Sequence, residues 1–240
     1  MKNLPLLAVV IIALLSCSKD DDKDTSSTET PDVYKKIYGA ADLYLDGDFV
    51  VIKSKGLPDH KSPYYSGTNY EAYNGTNTSF KINPNKISEQ SLTFRIPLHP
   101  AVASAHAATP LGAIGISLTG VPFYNQYAGP SQPLTSEINS FDQYNGHPQQ
   151  TGQYHYHVEP LYLTTNKGKD ALLGFLLDGF PVYGPTENGA QVNTSALDAY
   201  HGHTHATADY PDGIYHYHTS AEAPYINGDG FYGTAGTVTN

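Results

Sequence analysis

From Val33 onward the apolar positions fall in short runs broken by Gly, Pro, Asn and Ser. Ser91–Pro97 alternates strictly, with Leu92, Phe94 and Ile96 on one face, the period-two pattern of a half-buried strand. Tyr34 to Lys55 has strand character, with Asp46-Gly47 as the turn of a hairpin. Leu57 to Asn85 lacks a sustained apolar period and predicts loops and short strands. Ile114 to Leu118 and Leu172 to Leu177 are apolar runs whose lengths suit buried strands. Each leads into Gly-x-Pro-x-Tyr, a turn that sends the chain back. Ala101 to Ala108 predicts one or two helical turns, confined by Pro100 and Pro110. Thr135 to Tyr144 and Ser195 to Tyr200 predict short helices, each just ahead of a Gly-His pair.

These elements come in two matched series. Ile114-Gly-Ile-Ser-Leu-Thr-Gly-Val-Pro-Phe-Tyr124 aligns with Leu173-Gly-Phe-Leu-Leu-Asp-Gly-Phe-Pro-Val-Tyr183. Asp142-Gln-Tyr-Asn-Gly-His147 aligns with Asp198-Ala-Tyr-His-Gly-His203, and Tyr154-His-Tyr-His157 with Tyr215-His-Tyr-His218. Tyr124 and Tyr183 stand 59 residues apart, His147 and His203 56, His155 and His216 61. Recurrence in one order at nearly constant offset points to a duplication over about 111–163 and 171–226. Two copies are too few for a solenoid, so they read as halves of one domain. The predicted architecture is mainly β, β-sandwich-like or irregular with short helices, and pseudo-twofold.

Composition agrees. Charged residues make up 15% of the chain and Tyr numbers 20, a mix suited to a loop-rich secreted β protein. The net charge of −10 argues against a nucleic-acid or anionic-membrane footprint. At the start, Lys2 precedes an apolar core from Leu6 to Leu15 that is too short to span a bilayer as a helix. Leu14-Leu15-Ser16-Cys17 resembles the lipobox of bacterial lipoproteins, which implies cleavage after residue 16 and lipidation of Cys17. Ser18-Lys-Asp-Asp-Asp22 resembles the acidic tag that sends some lipoproteins to the outer face of the outer membrane. The expected organisation is a signal peptide over 1–16, a lipidated, flexible acidic tether over 17–32 and one domain over 33–240, at the outer membrane and exposed at the cell surface.

The chemistry lies in the histidines. On an extended strand the two histidines of each YHYH share one face and the tyrosines the other, with same-face positions roughly 6.5–7 Å apart. His-x-His on a strand plus a loop histidine builds a three-histidine metal site with a fourth position left for water, substrate or a carboxylate. The sets are His147, His155, His157 and His203, His216, His218. They make two sites, or one shared site where the halves meet. His201 and His205 flank His203, so the second half is better supplied. The bland alternative is that the histidines pair with backbone carbonyls or stack among tyrosines as scaffold. Met1 is the only methionine and Cys17 the only cysteine, so soft ligation is unavailable and the ion is a divalent transition metal, zinc or Cu(II) first. Asp178, matched by Thr119 in the first half, is the candidate general base or else orders its Asp-Gly turn. Asp142 and Asp198 either orient imidazoles or cap the Gly-His loops. No nucleophile-elbow, Walker A, H-E-x-x-H, Rossmann or EF-hand pattern occurs.

Gly-His147 with Tyr154–His157, Leu177-Asp-Gly-Phe-Pro-Val-Tyr-Gly-Pro185, and Gly-His203-Thr-His205 with Tyr215–His218 resemble the YHYH-domain family of bacterial proteins, over about residues 95–235. The resemblance implies no particular reaction. Relatives often carry cysteines near the Gly-His elements; this chain has none there, which removes any thiolate ligand or disulfide. The competing class is a metal-free module whose tyrosines bind a glycan, a small molecule or a protein.

Overall fold

The computed structural model describes residues 29–240. The leader, Cys17 and the tether up to Thr28 lie outside the described residues. A single helical turn, α1 (Asp32–Lys35), precedes the hairpin of β1 (Ala40–Asp46) and β2 (Phe49–Ser54). β3 (Leu92–Pro97) follows the long irregular segment. Next come β4 (Ala113–Ser117), β5 (Pro122–Tyr124), the two-residue strands β6 (Tyr127–Ala128) and β7 (Gln132–Pro133), β8 (Gly146–Pro148) and β9 (Tyr154–Tyr156). After helix α2 (Leu161–Lys167) come β10 (Leu172–Leu176), β11 (Pro181–Tyr183), β12 (Thr186–Glu187), β13 (Ala190–Gln191), β14 (Gly202–His205), β15 (Ile214–His218) and β16 (Thr237–Thr239).

The protein is mainly β. The two larger sheets have the orders β1-β2-β3-β16 and β14-β15-β11-β10-β4-β5-β9-β8, and β6–β7 and β12–β13 form small hairpins beside them. Outward from the central antiparallel β4–β10 pair, both arms pair antiparallel, then parallel, then antiparallel. The two larger sheets share one core. Val50 and Ile52 of β2 and Leu92, Phe94 and Ile96 of β3 cluster with Ile114, Ile116, Phe123, Phe175 and Val182 of the large sheet. The alternation read in β3 is the one observed, and β4 and β10 are buried almost throughout, as central strands are. Gly120 and Gly179 turn the chain after β4 and β10 at φ +84° and +86°, a conformation that costs glycine little.

Several local expectations are corrected. Tyr34 lies in α1, and the first strand starts at Ala40. The hairpin turn is Gly47-Asp48, one residue later than read. Residues 101–108 are extended instead of helical. They run beside the C-terminal segment, with Ala103 N–H donating to Tyr232 O and Phe231 N–H to Ala107 O, and this pairing overrides the helix propensity of alanine. Ahead of the Gly-His pairs there are only 3₁₀ turns, Glu137–Ser140 and Thr194–Ala196. Asp142 accepts from Tyr144 N–H and Gly146 N–H, and Asp198 from Tyr200 N–H and Gly202 N–H, so each aspartate competes with the helix for its own backbone. Helix α2 falls outside the elements predicted from the sequence.

Candidate metal centres

Each YHYH strand sends its tyrosines into the core and its histidines to the other face. Tyr154, Tyr156 and Tyr217 are fully buried and Tyr215 nearly so. The partner strand brings the Gly-His histidine into register: His147 faces His155 across β8–β9, and His203 faces His216 across β14–β15. The glycine is a steric requirement. A Cβ on Gly146 would lie 2.3 Å from the Tyr154 ring, and one on Gly202 2.4 Å from the Tyr215 hydroxyl. Those hydroxyls donate to Asp142 and Asp198 at 2.9 Å, which locks ring, strand and loop together.

In the first cluster, His147 Nε2 lies 3.0 Å from His155 Nε2, which lies 3.1 Å from His157 Nε2. Glu137 Oε1 is 3.3 Å from His147 Nε2. The outer nitrogens settle the tautomers. A carbonyl only accepts, so His155 Nδ1–H donates to Gln153 O and His157 Nδ1–H to Asn125 O. His147 Nδ1 lies 2.7 Å from the Ser140 hydroxyl, which also bonds Glu137 O, and 3.4 Å from the Asn83 amide nitrogen. The Nε2 atoms of His155 and His157 are therefore bare, and His147 Nε2 closes on His155 from the facing strand. Burial, together with the neighbouring imidazoles, holds His155 well below the usual histidine range, and burial brings His157 down to about 4. The rings are jacketed: Tyr124 stacks on His155 at 3.9 Å, and Phe141 lies parallel to His157 and edge-on to His147.

The second cluster holds five donors. Glu187 Oε1 lies 2.5 Å from His205 Nε2, 2.7 Å from His203 and His218 Nε2, and 3.3 Å from His216 Nε2. Here too the outer nitrogens are committed, with Nδ1–H of His205, His216 and His218 donating to the carbonyls of Ala206, Ile214 and Gly184. Burial takes His216 down to about 4. Burial pushes the Glu187 carboxyl up, and the hydrogen bonds from His205, His203 and His216 pull it down to about 2. The side chains of His205 and Glu187 are 37% and 25% exposed, and the cluster borders a cleft of about 790 Å³ whose walls include Tyr38, Leu118, Tyr183 and Thr207.

A family model described as "YHYH protein" matches residues 93–194 and 186–230. The chain belongs to the YHYH protein family. No curated protein and no solved structure matches it. The YHYH match spans every donor of both clusters, Glu137 and Glu187 included.

Within this YHYH chain the structure gathers His147, His155 and His157 into one group and His203, His205, His216 and His218 into another. A single site shared between the halves is ruled out. Five strand spacings separate β9 from β15, about 24 Å along the sheet. His201 stays outside, its Nε2 at 2.9 Å from Ser220 Oγ. It takes a left-handed φ of 69°, as does Asn145 in the matching turn at 67°. Asp178 is brought to neither cluster. It is fully buried on the tyrosine side of β15, accepting from Tyr217 O–H at 2.6 Å and Gly233 N–H at 2.9 Å, and burial raises it to about 6. Asp142 and Asp198 hold tyrosines and turns rather than imidazoles. Glu137 and Glu187 escaped the sequence reading. They occupy non-matching places, one on a 3₁₀ turn and one on the β12–β13 hairpin, so a search for recurring residues passes over both.

Proposed function

We propose that this protein is a bacterial envelope lipoprotein that binds divalent transition-metal ions at two separate histidine clusters. The observation that carries the reading is the convergence of three Nε2 atoms at 3.0–3.1 Å in the first cluster, with the Nδ1 protons of His155 and His157 already donated outward. Lone pairs so placed repel one another in a buried setting, and a cation at their centre turns that repulsion into ligation. Zinc–imidazole bonds of about 2.0–2.1 Å put tetrahedral neighbours about 3.3 Å apart, close to the spacings found. Carbonyl partners on the far nitrogens are the usual means of orienting metal-binding histidines. Scaffold histidines would satisfy both nitrogens from backbone or hydroxyl groups. The lipobox-like segment ending at Cys17 and the acidic stretch after it support anchoring at the outer membrane with the domain facing outward. The two sequence series, with two sheet arms that pair alike, support an origin by duplication.

The test is elemental analysis of the untagged chain beside His147→Ala/His155→Ala and His216→Ala/His218→Ala variants. The reading expects two ions per chain, and one in each folded double variant. A folded wild-type chain that takes up no zinc, copper, iron or nickel overturns it.

A further inference from the structure

The cleft beside the second cluster, about 790 Å³ in volume, falls within the span of about 300–1,000 Å³ typical of small-molecule sites. Its walls bring together metal donors, lysines and apolar side chains. The two most exposed donors of the cluster, His205 and Glu187, both line it, so a ligand in the cleft meets the ion from the solvent side. Lys35, Lys36 and Lys167 line it too. Two of these lysines are already paired, Lys35 with Glu29 and Asp32, and Lys36 with Asp209. Lys167 differs. Its Nζ lies 5.0 Å from the centre of the Tyr38 ring, and among the described residues it pairs with no carboxylate. Acidic residues outnumber basic ones in the chain, 23 to 13, so this ammonium and the ion form a local positive pair in an acidic protein. Leu118, Leu172, Ala206 and Ala208 supply apolar wall in the same cleft.

We infer that this cleft takes a small dicarboxylate, with one carboxylate on the ion of the second cluster and the other on Lys167. The inference rests on the metal-binding reading above and extends it to the ligand class of that site. A carboxylate oxygen is an ordinary ligand for an imidazole-bound divalent ion. A single ammonium matches a second monoanion, and no arginine lines the cleft to grip a phosphate in a fork. The leucine and alanine walls suit a hydrocarbon body joining the two charged groups. The first cluster has no such companion. Its imidazoles are buried under Tyr124 and Phe141, and none of its donors lines the cleft.

The experiment titrates the zinc-loaded, untagged chain with the straight-chain dicarboxylates from succinate to suberate, each beside the monocarboxylate of equal length. Calorimetry reads the affinity, and elemental analysis afterwards reads the retained zinc. The expected result is a dicarboxylate bound about fivefold or more tighter than its monocarboxylate, with both ions retained. Lys167 is exposed, so Lys167→Ala leaves the core intact. In that variant the dicarboxylate should fall to the affinity of the monocarboxylate, whose own binding stays unchanged, and Lys167→Arg should restore the preference. The metal-free chain, and His216→Ala/His218→Ala loaded at the first cluster alone, should lose binding of both. Two ions retained with nothing in the series bound would overturn this inference and leave the metal-binding reading standing. So would a dicarboxylate preference that survives in Lys167→Ala or in the metal-free chain. A chain that takes up no ion would overturn both.

Discussion

The two arms of the large sheet present the same frame, a Gly-His strand facing a YHYH strand in the same register, and end with different sites. In the first arm the imidazoles are buried under Tyr124 and Phe141, and the carboxylate comes from a 3₁₀ turn, within reach of His147. In the second, a fourth histidine and a carboxylate on a protruding hairpin close over the frame beside a cleft. The frame is set by strand pairing, and the character of each site by single residues on the loops around it. One scaffold thus yields an enclosed centre suited to holding a permanent ion and an accessible one suited to exchange.

The largest expected effect comes from breaking the enclosed centre. In the metal-free chain His155→Ala removes a fully packed ring and should destabilise the fold by about 3–5 kcal/mol, read from chemical denaturation. His205→Ala, partly exposed on an edge strand, should change stability by no more than about 0.5 kcal/mol. Equal losses would erase the distinction between closed and open centres. Next, Glu187→Gln should weaken ion binding at the second cluster by about tenfold or more, while Glu137→Gln, whose carboxylate reaches only one imidazole, should cost less; competition titration against a chelator measures both. A chelator should also strip the cleft-side ion well before the enclosed one, as followed by stopped-flow with a chromogenic chelator.

The pH dependence of the metal-free chain separates the halves further. His157 and His216 are held at about 4 in the folded protein, below their unfolded value of about 6.5. The unfolded chain therefore binds more protons between those values, and stability falls as pH drops through that window. Asp178, raised to about 6, works the other way: the folded chain holds the extra proton between about 4 and 6, so its contribution is lost as pH rises through that range. Asp178→Asn should thus steepen the gain in stability between pH 4 and 6, by up to about 3 kcal/mol across the window, measured by denaturant melts. An unchanged slope would contradict the placement of Asp178 as a buried partner of Tyr217.

Much of this frame was legible in the chain. The YHYH alternation puts histidines on one face because side chains alternate on any strand, and the matched Gly-His pairs supplied the facing residues. The separation of the two clusters was not legible, because it depends on β4 and β10 pairing at the centre of the sheet and placing the YHYH strands on opposite arms. Glu137 and Glu187 were invisible for a different reason: each occurs once, and the duplication draws the eye to what occurs twice. Asp178 illustrates the converse. Its departure from the pattern at Thr119 suggested chemistry, whereas its carboxylate serves to hold Tyr217 and the backbone at Gly233. The helix expected over 101–108 failed because its residues pair with a segment more than 120 residues later, which local propensity does not register.

The most direct test of two separate centres is anomalous X-ray scattering from crystals of the metal-loaded chain, recorded at the zinc and copper absorption edges. The account predicts two peaks, one within bonding distance of Nε2 of His147, His155 and His157, the other among His203, His205, His216, His218 and Glu187. Well-ordered imidazoles with no peak at either position, their Nε2 atoms hydrogen-bonded to water, would contradict it.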